Sequence, residues 1–144
     1  MGLLKIAHVP PATVEGDATV LEAVQVMAEE GVGGLAVIEQ GELRGVFTER
    51  DVMLRVVLRE RRPSEVRVRE VMTTPAETAT DDTPAEEALN FMVERHIRHL
   101  PIVDERGKVL GTLSIRNLLE HMVEDLQQKL HSLDQYLLND GPGG

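Results

Sequence analysis

"GVFTERDV" (residues 45–52) and "GTLSIRNL" (residues 111–118) are one phrase written twice, 66 residues apart, and that recurrence decides how the rest of the chain is read. Gly45 returns as Gly111, Thr48 as Ser114 and Arg50 as Arg116, whereas Asp51 returns as Asn117. Working outward, a shift of 65 matches Thr13 to Thr78, Asp17 to Asp82, Glu22 to Glu87, Ala23 to Ala88, Met27 to Met92, Glu29 to Glu94 and Leu35 to Leu100. One extra residue in the second hairpin makes the shift 66 from Gly41 onward. Apolar positions agree as classes, as in "LAVIE" (35–39) against "LPIVD" (100–104). A register kept this long is an internal duplication.

Each copy has the same coarse anatomy. "TVLEAVQVMAEEG" (19–31) places Val20, Val24, Met27 and Ala28 on one helical face, with Thr19 and Glu22 as a capping box and Gly31 as a stop. A buried strand (35–39), a turn and a second strand (43–47) follow, and Thr48 opens a further helix. In the second copy Thr83, Pro84 and Glu86 signal the helix start, and a last helix begins near Ile115. Short extended pieces, "ATV" (12–14) and "ETA" (77–79), precede the copies. A lone hairpin is marginal in water, but two copies packed together bury their shared face. The predicted fold is therefore α/β (α+β): two motifs related by a pseudo-twofold, plus a C-terminal helix. The expected division is 1–60 for the first motif with a short N-terminal segment, 61–75 for a linker, 76–122 for the second motif, and 123–144 for a helical extension with a frayed tail. Leu119, Met122, Leu126, Leu130, Leu133 and Leu137 form a stripe that suits either core packing or a helix–helix dimer contact.

Composition narrows the function. There is no cysteine, which excludes disulfides, thiolate zinc sites and a cysteine nucleophile. The net charge of −10 opposes non-specific nucleic-acid binding. Seven of the 15 basic residues nevertheless lie between Arg50 and Arg69, either as a solvated face or as a local anion-attracting surface. No apolar run has the length of a membrane span, the N-terminus lacks signal-peptide character, and Ile6 stands where myristoylation needs Ser or Thr. A soluble cytoplasmic protein is expected. "GVGG" (31–34) is not a dinucleotide fingerprint, and His96 and His99 lack the carboxylate pattern of a metal site, so none is expected. His121 and His131 are expected to face solvent, and Asp81 and Asp82 to serve a helix start.

"VREVMTTP" (68–75) followed by "TPAEEALNFMVERHIRHLPIVDERGKVLGTLSIRNLL" (83–119) resembles a CBS domain, the module named after cystathionine β-synthase. "ATVLEAVQVMAEEGVGGLAVIEQGELRGVFTERDVMLRVV" (18–57) resembles a first copy, so the likeness covers about residues 8 to 122. It implies two motifs paired into a disc-like Bateman module that often dimerises. It further implies clefts that take adenine nucleotides (AMP, ADP or ATP), NAD(H) or S-adenosylmethionine. The chain resembles the stand-alone bacterial CBS-pair proteins.

Read from the residues alone, Thr48-x-x-Asp51 is a capping box. The same geometry also offers free N–H groups to a phosphate, and a carboxylate that can accept from two ribose hydroxyls. The resemblance assigns Thr48 to phosphate and Asp51 to ribose. It gathers Thr48, Arg50, Asp51, Thr78, Arg98 and His99 around a main cleft. The opposite, poorer cleft collects Thr13, Gly33, Gly34, Ser114, Arg116 and Asn117, since an amide lacks the charge-assisted acceptor strength of a carboxylate. The expected function is a non-catalytic nucleotide-sensing homodimer that signals to a separate effector protein. No cofactor, catalytic group or metal is expected. The alternative is a dimeric scaffold with vestigial clefts.

Overall fold

The computed structural model describes residues 2–139. A short 3-10 turn, Leu3–Lys5, precedes β1 (Thr13–Glu15), α1 (Val20–Glu30), β2 (Gly34–Glu39), β3 (Glu42–Thr48) and α2 (Glu49–Asp51). The last runs without a break into a π-helical stretch, Val52–Val57. Then come α3 (Val68–Val71), α4 (Ala85–Arg95), β4 (His99–Val103), β5 (Val109–Ser114) and α5 (Ile115–Asn139). Of the expected frayed tail, 139–144, Asn139 still belongs to α5 and the rest lies outside the described residues.

Local chemistry accounts for most boundaries. Thr19 accepts the Glu22 N–H at 3.1 Å to start α1, and Gly31 ends it at φ 67°, a left-handed conformation that suits glycine. The start of α4 differs from expectation. Pro84 itself occupies the cap position without a side-chain bond, and the Thr83 hydroxyl turns back to accept Thr80 N–H at 3.2 Å. Asp81 starts no helix; its carboxylate accepts Leu4 N–H at 2.8 Å and its carbonyl accepts Leu3 N–H at 2.9 Å. Asp82 accepts the Thr80 hydroxyl. His121 is half-buried and His131 exposed.

The two copies match strand by strand. β1 runs parallel to β2 (Val14 opposite Val37), and β2 pairs antiparallel with β3. In the second copy β4 and β5 form the antiparallel hairpin, and Ala79 bridges Ile102 in parallel, as the repeat of the Val14–Val37 pair. Both hairpins carry a bulge at the corresponding place, after Val37 and after Ile102. There are two cores. One is built on Val20, Met27, Leu35, Val37, Phe47 and Val56, the other on Met92, Leu100, Ile102, Leu113 and Leu118.

The segment ahead of each copy crosses to the other copy. Thr73, ahead of the second copy, pairs antiparallel with Val46 of β3; His8, ahead of the first, pairs with Thr112 of β5. Residues 61–75 are therefore more than the expected linker, because Val66, Val68 and Val71 are buried in the first core. Leu3 is likewise buried in the second. Close approach of these segments explains the glycines of the repeated phrase. A Cβ on Gly45 would lie 2.6 Å from the Thr73 carbonyl oxygen, and one on Gly111 would lie 2.9 Å from Leu4 and 3.3 Å from the His8 carbonyl oxygen.

Candidate functional site: a cavity between the two copies

The two junctions of the repeated phrase have diverged in what they leave free. At the first, the Asp51 carboxylate is buried and engaged on both oxygens. Oδ2 accepts Thr48 N–H at 3.0 Å and the Thr48 hydroxyl at 3.3 Å, while Oδ1 accepts the Thr73 hydroxyl at 2.9 Å. Thr48 returns the bond by accepting Asp51 N–H, completing the capping box. Arg55 Nε stands 3.8 Å from Oδ1, and Arg55 Nη1 donates to the Val71 and Met72 carbonyls at 3.2 and 2.8 Å. Asp51 thus ties the helix start to the segment entering the second copy.

At the second junction only half of the box is present. Ser114 Oγ accepts Asn117 N–H at 3.1 Å, and no bond returns from the Asn117 side chain. Asn117 instead lines a cavity of about 820 Å³ that opens between the copies. Its polar wall carries the carboxylates Glu30, Glu49 and Glu120 as well as His8, Arg98, His99, Thr112, Ser114, Arg116 and Asn117. Val24, Met27, Val32, Leu113 and Ile115 supply the apolar side. That volume falls within the ordinary range for small-molecule sites.

This cavity holds most of the residues expected in the poorer cleft, together with two expected in the main one. Arg98 and His99, expected beside Asp51, open onto the cavity with Gly33, Gly34, Ser114, Arg116 and Asn117. Asp51 and Thr48 do not line it, and Arg50 is exposed. Thr13 sits in β1 and Thr78 just ahead of its bridge counterpart, both exposed and neither on the cavity wall. The cause is steric. Gly34 and His99 are repeat equivalents that meet between the copies, and a Cβ on Gly34 would stand 2.6 Å from the His99 ring. Only one of these two positions can carry a ring. Gly33 likewise leaves room for the Glu49 carboxylate, which a Cβ there would meet. The glycines read as a poor anion set are what admit His99 and Glu49.

Electrostatics within the cavity are mixed. Burial holds the His99 pKa below its ordinary value, with Glu49 opposing that shift and Arg98 adding to it. Arg98 is exposed and makes no ion pair among the described residues, so its guanidinium is free. Arg116 is held by Glu120 at 3.1 Å in a solvent-exposed pair worth little by itself. His8, Thr112, Glu49, Thr73 and Arg55 escaped the sequence reading. The pairing of "IAHVP" (6–10) with "VMTTP" (71–75) by the shift of 65 would have pointed to His8 and Thr73.

Comparison with known proteins agrees with this architecture. The CBS domain family model matches residues 5–58 and 68–124. An uncharacterised protein of Methanopyrus kandleri is 32% identical over 123 residues, covering 83% of this chain and 63% of its own length. The CBS domain-containing protein YhcV of Bacillus subtilis is 36% identical over 111 residues, covering 74% and 79%. Among solved structures, a protein with CBS domains from Burkholderia ambifaria superposes with a TM-score of 0.79 at 33% identity, covering 87% of this chain and 96% of its own. The chain spans less than two thirds of the first curated relatives it matches. CBS pairs are in general regulatory modules. Two motifs in tandem, two crossed lead-in segments and these matches make the chain a member of the CBS domain family.

Proposed function

We propose that the chain is a regulatory sensor that binds an adenine nucleotide or a related nucleoside in the cavity between its two copies. The observation that carries this reading is the Arg98 guanidinium, unpaired among the described residues, on one cavity wall with His99 and with the Ser114–Asn117 helix start that Arg98 adjoins, next to an apolar wall. Arg98 and the α5 N-terminus suit phosphate or carboxylate, because both present N–H donors and positive charge. Glu49 and the Asn117 amide suit ribose hydroxyls, and Val24, Met27 and Val32 suit the flat face of a base. A CBS pair of the same fold, 21% identical, has been solved with 5′-methylthioadenosine and S-adenosylmethionine; that likeness is one of fold. A ligand held by both copies would change how they pack against one another, and a separate effector protein would read that change. It shifts the balance only through unequal affinity for the two arrangements. The chemistry is binding rather than catalysis.

Thermal shift against AMP, ADP, ATP, NAD(H) and S-adenosylmethionine tests the reading. A ligand at 100 times its Kd stabilises by about 2.7 kcal/mol, which moves the melting point by several degrees. Arg98→Ala is expected to abolish most of that shift, and Asn117→Ala to weaken it. No shift with any of these at millimolar concentration excludes them as ligands of this chain. A second reading, a dimeric interaction protein, is favoured by the exposed apolar row on α5.

A further inference from the structure

Beyond Met122, α5 leaves the domain and carries an apolar seam on which nothing packs among the described residues. Leu119, Val123, Leu126, Leu130, Leu133 and Leu137 are between 43% and 61% exposed, and they are spaced 4, 3, 4, 3 and 4. This is an unbroken heptad seam, with Val123, Leu130 and Leu137 at a and Leu119, Leu126 and Leu133 at d. It is about 27 Å long. Six large apolar side chains half-exposed on one line need a cover of matching period, which a second copy of the same helix supplies.

We infer that α5 pairs with α5 of a second copy as a parallel, in-register two-stranded coiled coil. The flanking charges choose the orientation. Lys129 falls at g and Asp134 at e, so a parallel pair sets Lys129 of each copy against Asp134 of the other, twice by symmetry. The antiparallel register with full overlap sets Lys129 against Lys129 and Glu120 against Asp134, and both contacts repel. A β-branched residue at a with leucine at d, as at Val123 and Leu126, favours two strands. The repeat supports a homotypic contact as well. Met53 and Val57 of the first copy, equivalents of Leu119 and Val123, are also exposed, so the seam prolongs an apolar surface both copies share. Leu138 lies off the seam and takes no part. The pairing rests on α5 alone and does not depend on the ligand reading.

The test uses the full chain, and its freedom from cysteine makes the labelling unambiguous. Light scattering is expected to give the mass of a dimer. Leu133→Cys is expected to form a covalent dimer on mild oxidation, because facing d positions lie within disulfide reach. The antiparallel register would separate those two sulfurs by about 15 Å along the axis. Lys129→Glu should raise the dissociation constant roughly tenfold, and Lys129→Glu with Asp134→Lys should restore it. Positions five apart are not neighbours on one helix, so that rescue runs only between chains. A monomer at all concentrations overturns the inference, as does a dimer that Leu133→Cys does not link. A dissociation constant unmoved by Leu130→Glu, with helix content unchanged by circular dichroism, overturns it too.

Discussion

At the scale of single residues, the exchange of Asp51 for Asn117 separates a structural junction from an open one. Both oxygens of Asp51 are spent on Thr48 and Thr73, so the capping-box reading of Thr-x-x-Asp describes the first junction. Asp51→Ala should therefore destabilise the protein by about 2 kcal/mol, through the lost cap and the stranded Thr73 contact. The same variant should keep a ligand-induced melting shift; loss of that shift with intact stability would move the nucleotide site to the Asp51 side. His99 makes a separate prediction. Its folded pKa is held below the ordinary value by burial, so the unfolded chain binds more protons between the ordinary value, about 6.5, and the lowered one. Stability should be full above pH 6.5 and fall as the pH drops through that window. Urea midpoints at pH 7.5, 6.5 and 5.5 should show His99→Gln losing less on acidification than the parent. Equal losses in the two proteins would remove His99 from the explanation.

At the scale of elements, the helices other than α3, both hairpins and the duplication were legible because hydrophobic period, turn glycines and repeated identities agree there, whereas α3 falls in the expected linker. The crossing of the lead-in segments was not. "LLKIAHVP" (3–10) and "VREVMTTP" (68–75) agree in apolar class at Leu3/Val68, Ile6/Val71 and Ala7/Met72 but share only the final proline, so a search for identities stops at Thr13. The roles of the paired glycines were hidden for the same reason, since what each must accommodate comes from the other half of the chain. The contact of His99 with Gly34 was hidden as well: sequence shows that the two are equivalents, but not that they touch. A contrast between the two glycines of the phrase checks the crossing. At Gly45 an added methyl meets backbone, the Thr73 carbonyl, which cannot swing aside. At Gly111 it meets first the tip of the Leu4 side chain. Gly45→Ala should cost about 1–3 kcal/mol, as overpacking does, and Gly111→Ala distinctly less, by denaturant unfolding. Equal costs would mean that the Val46–Thr73 pair is not a tight one.

At the scale of the whole molecule, each core contains a strip of chain delivered from the other side. Leu3, Leu4 and Ile6 complete the core of the second copy, whereas Val66, Val68 and Val71 complete that of the first. Neither copy can be cut out of the sequence as one uninterrupted block that owns its core. The cavity, walled by His8, Gly33 and Glu49 on one part of the chain and by Arg98 to Asn117 on the other, exists only while both cores hold their strips. A ligand bound there under the proposed function would be coupled to the mutual packing of the copies, which two independently folded halves would not provide. The same crossing should make unfolding a single event. Leu3, 2% exposed, lies far in sequence from the rest of the core it fills, and Leu3→Ala should remove about 2–4 kcal/mol. Because the segment that carries Leu3 also leads into β1, the loss should reach both copies. Calorimetry of the variant should then show one transition at a lower temperature, with van't Hoff and calorimetric enthalpies still equal. A split into two transitions, with the first copy melting at the parent temperature, would show that the strips are accessories and that each copy folds alone.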